Sequence, residues 1–417
     1  MGFVLTLSYI ALTLLSVSDA LPALAPYRVQ LVIAVVTTLA SLLSVMVSQR
    51  PVLNTQMFLW VGVVGTVLFS RLAQGWLGGI PLAFADFLPS AMLYVFLFVN
   101  VSTELRLKII RLLLIFIGLY LSYHGISAYY NDLESPYIMK QAIHPIVTPE
   151  VQYLYRVRAL GFLEDPNDFS QFLLFLLPLI FHEWKRKSWV VRLLFTLPAA
   201  STLLYTMYLT RSRGALVGLA ATVAFALKLR LNAALAAVGS VLTVIGLLAL
   251  NFAGGRALSL GGGADRISLW SDGLGMFKRS PLWGVGYNAY ADNAGGMTAH
   301  NSYLLALAET GFLGYFFWLG MIVTAVQQIL AMLEKTPKDS PTYPWVTTAR
   351  LCLYGFLVTS FFLSRTYDSP TYLVLGLVAA IASQYPGALL PHPMWGITTA
   401  GLALGTVVFL YAVVRIG

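Results

Sequence analysis

The chain has 417 residues, of which 58% are hydrophobic and only 10% are charged, and its mean hydropathy is +0.78. Soluble domains carry about a quarter charged residues, so this composition excludes a water-soluble globule and predicts that lipid surrounds most of the surface. The net charge of +9 does not indicate nucleic acid, because basic residues also orient membrane helices and contact anionic headgroups. Cys352 is the only cysteine, so no intrachain disulfide or cysteine-based metal site is expected.

Continuous apolar runs recur from one end of the chain to the other. They predict an all-α integral membrane protein with about 12 transmembrane helices, since one span needs about 20 apolar residues. The first run is expected to be a retained helix and not a secretion signal, because no Lys or Arg precedes Arg28. A transmembrane β-barrel would show alternating polarity, which these runs lack. The runs lie near 3–19, 29–48, 52–70, 82–100, 107–125, 168–183, 190–209, 214–229, 231–252, 301–332, 345–364, 370–385 and 394–414.

Basic residues predict the side of the membrane on which each loop lies, because short loops rich in Lys and Arg stay in the cytoplasm. Five such loops contain Arg50, the group Arg106/Lys108/Arg111, the group Lys185/Arg186/Lys187/Arg192, the pair Lys228/Arg230 and the pair Lys335/Lys338. The alternate connections are then expected on the outer face: 20–28, 71–81, 126–167, 210–213 and 253–300. The predicted organisation is N-terminal helices (1–125), a first long periplasmic loop (126–167), central helices (168–252), a second long periplasmic loop with short helices (253–300) and C-terminal helices (301–417).

Two arginines in the turn TRSRG break this orientation rule. Arg211 and Arg213 lie on the predicted outer side, next to Gly214 at an expected helix start. They either extend to lipid headgroups or form an anion clamp, because guanidinium forks and free backbone N–H groups both suit phosphate. The second outer loop adds Arg266, which begins a predicted helix over 266–278, and Trp270 one turn later. Its glycines match neither a P-loop nor a dinucleotide-binding fingerprint.

The stretch TAHNSYLLALAETGFLG places His300 at the mouth of a predicted spanning helix. A helix N-terminus carries partial positive charge, which disfavours imidazolium, so His300 is expected to stay neutral and able to accept a proton. The alternative is an ordinary solvated or capping histidine; the nearby arginines favour catalysis, with Asn301, Tyr303 and Trp270 as possible supporting residues. Glu309 lies inside the span, where a carboxylate usually has a partner or a function, and an arginine from a neighbouring span is the expected partner.

Four segments together resemble the O-antigen ligase superfamily, which includes lipid-linked O-antigen polymerases and bacterial protein O-oligosaccharyltransferases. They are GFLEDPNDFSQFLLFLLPL (161–179), TRSRGALVGLA, DRISLWSDGLGMFKRSPLWGVGYNAY and AHNSYLLALAETGFLGYFFWL. The resemblance covers roughly 161–320, and the rest of the chain only by helix number and loop placement.

The resemblance implies an inner-membrane glycosyltransferase of the GT-C type whose active site faces the periplasm. Its donor is a glycan on undecaprenyl diphosphate; ligases transfer the glycan to lipid A–core, polymerases to another repeat unit, and oligosaccharyltransferases to a protein Ser or Thr. By motif, Arg213, Arg211 beside it and Arg266 correspond to diphosphate-binding residues and His300 to the catalytic histidine, with no metal or other cofactor. We expect the ligase branch, because the chain is compact, its second outer loop is modest and it has no appended soluble domain.

Two other readings remain open. Asp132 and Glu134 have the spacing of a metal-binding pair in a metal-dependent oligosaccharyltransferase, although paired carboxylates are common on solvated loops. A lipid flippase or transporter would show related halves and ionisable residues near the membrane midplane; in this chain the halves differ and few charges lie within the spans. Asp265, Asp272 and Asp292 could orient His300 or bind sugar hydroxyls, but they equally suit solvated loop charges.

Overall fold

The computed structural model describes residues 1–48, 54–143, 152–229, 231–250, 252, 261–385, 388–389 and 392–416. A helix lies at each of the predicted apolar runs. The long helices are α1 (Gly2–Leu14), α2 (Val29–Ser48), α3 (Thr55–Ala73), α4 (Gly79–Asn100), α5 (Glu104–Asn131), α6 (Pro166–Ile180), α7 (Trp189–Leu209), α8 (Arg213–Lys228), α9 (Ala233–Ala249), α10 (Gly261–Arg279), α11 (Ser302–Lys335), α12 (Tyr343–Ser360), α13 (Ser369–Ala382) and α14 (Trp395–Ile416). Arg50, Arg230 and the segment 253–260 lie outside the described residues.

Seven helices in the described part of the chain are long and apolar enough to cross a membrane, namely α2, α3, α4, α5, α7, α11 and α14. Shorter apolar helices are α1, α9 and α13. The prediction of an α-helical membrane protein is confirmed at this level. Judged by helix length and composition, only these seven qualify as spans in the described part of the chain, fewer than the roughly 12 predicted.

The first long loop is more ordered than the sequence suggested, and it contains a β-hairpin. Helix α5 continues to Asn131, and strand β1 (Ile138–Ile143) then pairs antiparallel with β2 (Gln152–Val157). Ile138 and Val157 are paired across the hairpin and both are buried. Val157 packs where Gly125 of α5 leaves room, since a side chain on that glycine would collide with it. The all-α expectation is therefore corrected by one two-stranded sheet.

Hydrogen bonds between loops sort the connections onto two opposite faces of the helix bundle. On one of them, the site face, the described connections contact one another: 15–28, 74–78, 132–143 with 152–165, 210–212, 280–301 and 361–368. The bonds are Ser16 Oγ to Leu160 O (3.3 Å), Gln74 Nε2 to Gly284 O (2.7 Å), Arg156 Nε to Thr210 O (2.8 Å) and Thr298 Oγ1 to Ser364 Oγ (2.9 Å). On the opposite face, Arg186 Nη2 donates to Ser340 O (3.2 Å) and Tyr385 OH to Thr342 O (2.8 Å).

Helix α11 runs through the core and is interrupted at Gly311, which has φ 64° and ψ −167°. The segment 281–286 fills the break by pairing with α11 through its backbone: Phe312 N donates to Pro281 O (2.7 Å) and Gly286 N to Glu309 O (2.9 Å). Gly284, with φ 69°, approaches so closely that a Cβ there would collide with the backbone of Glu309. The glycines of SPLWGVG and AETGFLG therefore let two backbones cross and fix the second long loop against α11.

Candidate active site

The turn between α7 and α8 presents two arginines on the site face. Arg211 adopts a left-handed backbone, with φ 52°, and its Cζ lies 4.0 Å from the ring centroid of Tyr208. Ser212 caps α8 by accepting a hydrogen bond from Ala215 N on its Oγ (3.2 Å), and Arg213 is the first residue of the helix. The turn thus places one guanidinium group over an aromatic ring and one at a helix N-terminus, where anions are favoured.

Arg266 approaches the start of α8 from the second long loop. It lies on α10, is half-buried, and its Cζ lies 5.7 Å from the ring centroid of Phe362. A Cβ on Gly214 would lie 3.7 Å from Phe362 Cβ, so Phe362 lies beside the start of α8 as well as beside Arg266. Burial, and then the charge of Arg213, lower the pKa of Arg266. The two guanidinium groups are therefore close enough to repel each other electrostatically, and a polyanion between them would relieve that repulsion.

The backbone around His300 is fixed on both sides. Trp270 of α10 donates its indole Nε1–H to Ala299 O (3.0 Å). Asn301, fully buried, caps α11 by accepting hydrogen bonds from Tyr303 N (3.0 Å) and Leu304 N (3.1 Å). His300 itself has φ 47°, a conformation that costs a non-glycine residue free energy unless its surroundings impose it. Trp270 and Asn301 therefore fix the backbone on either side of His300.

Burial lowers the pKa of His300 below its ordinary value of 6.5. The positive charges of Arg266 and Arg365 lower it further, whereas the carboxylate of Asp165 raises it. The imidazole is therefore mostly neutral near pH 7. Burial and the nearby arginines cause this, whereas the sequence analysis attributed it to the helix N-terminus. A neutral imidazole beside fixed cations is a proton acceptor next to an anion site.

Glu309 is buried, but its contact differs from the expected one. Its Oε1 accepts a hydrogen bond from Tyr290 N (2.9 Å) at the start of the short helix Tyr290–Asn293. No ion pair joins it to an arginine within 4.0 Å among the described residues, so the expected salt bridge is wrong. A carboxylate at this helix start satisfies a backbone donor that has no partner within its own helix. Tyr303 also contacts the core, since its OH donates to Leu357 O (3.1 Å).

The sequence reading missed the connection between α12 and α13, residues 361–368. Its Arg365 forms ion pairs with the buried Asp168 of α6 and, at 2.5 Å, with Asp368. Ser302, the first residue of α11, accepts a hydrogen bond from Arg365 N (2.8 Å) and donates to Leu363 O (2.6 Å). The connection therefore joins the DPND segment to the histidine motif. Arg365 could have been noticed in the same way as Arg211 and Arg213, as an arginine on the outer side. It directly follows the apolar run predicted at 345–364 and was not singled out.

A second missed arginine lies on the β-hairpin. Arg156 is buried; its Nε donates to Thr210 O (2.8 Å) and its Nη2 to Asn167 Oδ1 (3.0 Å). These bonds attach β2 to the turn that precedes Arg211 and to the start of α6. The hairpin thus helps to hold the turn 210–212 in place.

The carboxylates weighed as metal ligands make other contacts. Asp132 Oδ1 accepts a hydrogen bond from Glu134 N (3.2 Å), and Glu134 pairs with Lys140 (3.6 Å). Within the part of the chain that the structure describes, no group of three or more His, Cys, Asp or Glu side chains is arranged to hold a metal ion. Asp272 lines an open groove of about 530 Å³ together with Ser268, Asn293 and Met297. Ser268 and Asp272 lie on α10 within two turns of Arg266.

Comparison with known proteins supports the reading of this region. No curated protein matches the chain. Residues 198–319 match the family model described as O-antigen ligase, and that range includes the arginine turn, α10, His300 and the crossing of α11 with the second loop. The match is limited to these residues, and over them it confirms the resemblance seen in the sequence.

Proposed function

We propose that this protein is an O-antigen ligase, a GT-C-type glycosyltransferase that acts on the periplasmic face of a bacterial inner membrane. It transfers a glycan from undecaprenyl diphosphate to a sugar hydroxyl of lipid A–core. One observation carries the proposal: Arg213, Arg266 and His300 come from three separate parts of the chain and lie on one face, where the charge of Arg213 lowers the pKa of Arg266 and the charge of Arg266 lowers the pKa of His300. In this proposal the long helices other than α10 are the membrane spans, close to the predicted number of about 12.

The chemistry is a single inverting displacement at the anomeric carbon. The bond between that carbon and the diphosphate oxygen breaks, and a bond to the acceptor oxygen forms on the opposite face of the sugar. The acceptor hydroxyl gives its proton to the neutral imidazole of His300, and the diphosphate leaves with the bonding electron pair. No covalent enzyme intermediate and no metal are needed, because the leaving group is already stable as an anion.

The arginines stabilise the charge that grows on the leaving diphosphate. Arg213 and Arg266 are held by a helix start and by Phe362, so they need little reorganisation when the charge develops. Arg211, one residue before the cap of α8, adds a third guanidinium group. Removing one such fixed donor typically lowers the rate by about 10²–10³-fold.

The groove beside α10 suits the acceptor. Ser268, Asp272 and Asn293 line it with a hydroxyl, a carboxylate and an amide, which are groups that hydrogen-bond to sugar hydroxyls. Met297, half exposed, adds an apolar contact. A sugar bound there lies on the same face as His300, and the flanking loops hold donor and acceptor in line.

The test is transfer in vitro by the purified full chain from lipid-linked glycan to three acceptors, each offered separately: lipid A–core, a second lipid-linked repeat and a pilin-like protein. We expect transfer to lipid A–core. His300→Gln should lower the rate by about 10²-fold or more, as loss of a general base does, and Arg266→Gln by a similar factor. Lys278→Gln, an exposed cation on α10, is the matched control and should retain activity.

Other outcomes assign other functions. Transfer to a second lipid-linked repeat alone identifies a polymerase, and transfer to the protein alone an oligosaccharyltransferase. Glycan movement across a vesicle membrane without transfer to any acceptor, lost in the His300 and Arg266 variants, identifies a flippase or transporter. Activity that EDTA abolishes and Mg²⁺ or Mn²⁺ restores would overturn the metal-independent mechanism.

A further inference from the structure

A cluster of basic and aromatic side chains lies on the face opposite the candidate active site. It is formed where the start of α5, the connection between α6 and α7, and the start of α12 meet. We call it the opposite-face cluster, and its members are Lys108, Arg111, His182, Lys187 and Trp345. The reaction proposed above uses none of these residues.

Aromatic and hydrogen-bond contacts hold the cluster together. The ring centroids of His182 and Trp345 are 4.0 Å apart, and Arg111 Cζ lies 6.0 Å from the centroid of Trp345. His182 Nδ1 is 3.0 Å from Thr348 Oγ1, and Lys187 Nζ donates to Ile180 O (2.8 Å). The positions of these side chains are therefore set by the fold before any ligand arrives.

Several donors in the cluster have no acceptor. Arg111 Nε, Arg111 Nη1 and Trp345 Nε1 are buried and make no hydrogen bond within the described part of the chain. Trp345 is only 2% exposed, so surface water does not satisfy its N–H. A buried donor without a partner costs roughly 1–3 kcal/mol, and more when it is charged. Three such donors in one place indicate a site for a group that only accepts hydrogen bonds.

The charge in the cluster is also unbalanced. Glu183 is the carboxylate nearest its centre, with Oε2 3.7 Å from His182 Nε2 and Oε1 3.5 Å from Arg186 Nη1, while Lys108 pairs with Glu104 (2.8 Å). Burial and the charges of Arg111, Lys187 and Lys108 lower the pKa of His182 to about 3. Burial and Arg111 lower the pKa of Lys187 to about 8. An anion would relieve this repulsion.

We propose that the opposite-face cluster binds a phosphate group, namely that of an anionic phospholipid in the leaflet opposite the candidate active site. Arg111 lies about 10 Å from the start of α5 at 1.5 Å per residue, and in this proposal the first turns of α5 lie at the headgroups. Leu112 and Phe116, which follow it on α5, are exposed hydrophobic residues. Basic pockets between membrane helices bind anionic headgroups, and the arginine fork matches phosphate oxygens. The proposal does not depend on the reaction at the site face.

Thermal unfolding and native mass spectrometry of the full chain in neutral detergent test the proposal. We expect phosphatidylglycerol or cardiolipin to raise the unfolding temperature and to give lipid adducts, and phosphatidylcholine to do neither to the same extent. Arg111→Gln and Lys187→Gln should each weaken binding by about tenfold, the effect of one lost charge-assisted hydrogen bond. Raising the salt concentration should weaken it as well.

Lys228→Gln is the matched control, because Lys228 ends α8 on the same face outside the cluster and its loss removes the same charge. The proposal is overturned if Lys228→Gln weakens lipid binding as much as the cluster variants, or if no variant weakens it. Inorganic phosphate alone is a further arm: an Arg111-dependent shift with millimolar phosphate would support the phosphate site but assign it to a soluble ligand. If Arg111→Gln does not fold, Lys187→Gln and Lys108→Gln decide.

Discussion

The strained backbone of His300 has a chemical consequence. A non-glycine residue at φ 47° stores of order 1–3 kcal/mol, and the hydrogen bonds of Trp270 and Asn301 to its neighbours hold it in place. The fold therefore fixes the backbone from which the imidazole extends. Its neutrality has a separate cause, burial together with nearby arginines.

The pH dependence of transfer should report this neutrality. A general base works only when unprotonated, so the rate falls as the pH drops through its pKa. Because the pKa of His300 lies below 6.5, we expect the acid limb of kcat/KM below pH 6.5 and a plateau around pH 7. Initial rates with lipid-linked glycan and lipid A–core, measured from pH 4.5 to pH 8, check this; an acid limb above pH 6.5 would contradict it.

The same pH profile shows whether Arg266 acts through its charge or only through its packing. Its guanidinium group lowers the pKa of His300, so Arg266→Gln should move the acid limb to higher pH as well as lower the maximum rate. Lys278→Gln, on the same helix, should leave the limb in place. A purely structural role for Arg266 would lower the rate without moving the limb.

At the scale of elements, the crossing of α11 with the second loop depends on two glycines. Gly284 and Gly311 both have positive φ, and a Cβ on either would collide with the backbone of the other segment. We expect Gly284→Ala and Gly311→Ala to abolish or sharply reduce the yield of folded, monodisperse protein. Gly275→Ala is the control: it lies in α10 with nothing within 4 Å of a new Cβ, and alanine favours a helix.

Arg365, in the connection 361–368, contacts Asp168 of α6 and Ser302 at the start of α11. Removing it leaves Asp168, 2% exposed, without its cation, and loss of one partner of a buried pair typically costs about 3–5 kcal/mol. Arg365→Gln should therefore lower the unfolding temperature markedly in a thermal scan. Adding Asp168→Asn should restore part of the loss, because the uncompensated charge is gone. A double variant less stable than Arg365→Gln would show that the pair is not the cause.

The elements differ in how far the sequence predicts them, for physical reasons. Apolar runs predict the helices because lipid requires continuous apolar length and internal backbone hydrogen bonds. The β-hairpin was missed because its short strands lie in a polar stretch and owe their order to contacts far along the chain, such as Arg156 with Thr210. Arg211 and Arg213 were singled out because cations on this face break an orientation rule, and His300 because it lies at the mouth of an apolar run. The links of Arg365 to Asp168 and of Glu309 to Tyr290 depend on tertiary proximity, which spacing alone does not encode.

At the scale of the whole molecule, the two faces carry different charge chemistry. The site face gathers Arg213, Arg266 and His300 around loops tied to one another, and the opposite face holds Arg111 and Lys187 close to Glu183. The opposite face is the one that the basic loops predict to be cytoplasmic. The orientation of the whole chain therefore decides which leaflet meets each cluster.

Cysteine labelling in bacterial spheroplasts tests that orientation. Cys352 is buried, so the parent chain should react little with a membrane-impermeant maleimide. Glu134→Cys, on the site face next to the hairpin, should be labelled in intact spheroplasts, because we expect this face in the periplasm. Lys185→Cys, on the opposite face, should be labelled only after the membrane is permeabilised. Both positions are exposed, so a difference reports the side of the membrane and not burial. The reverse pattern would place Arg213 and His300 in the cytoplasm, where a lipid-linked glycan presented on the periplasmic leaflet cannot reach them, and the ligase proposal would fail.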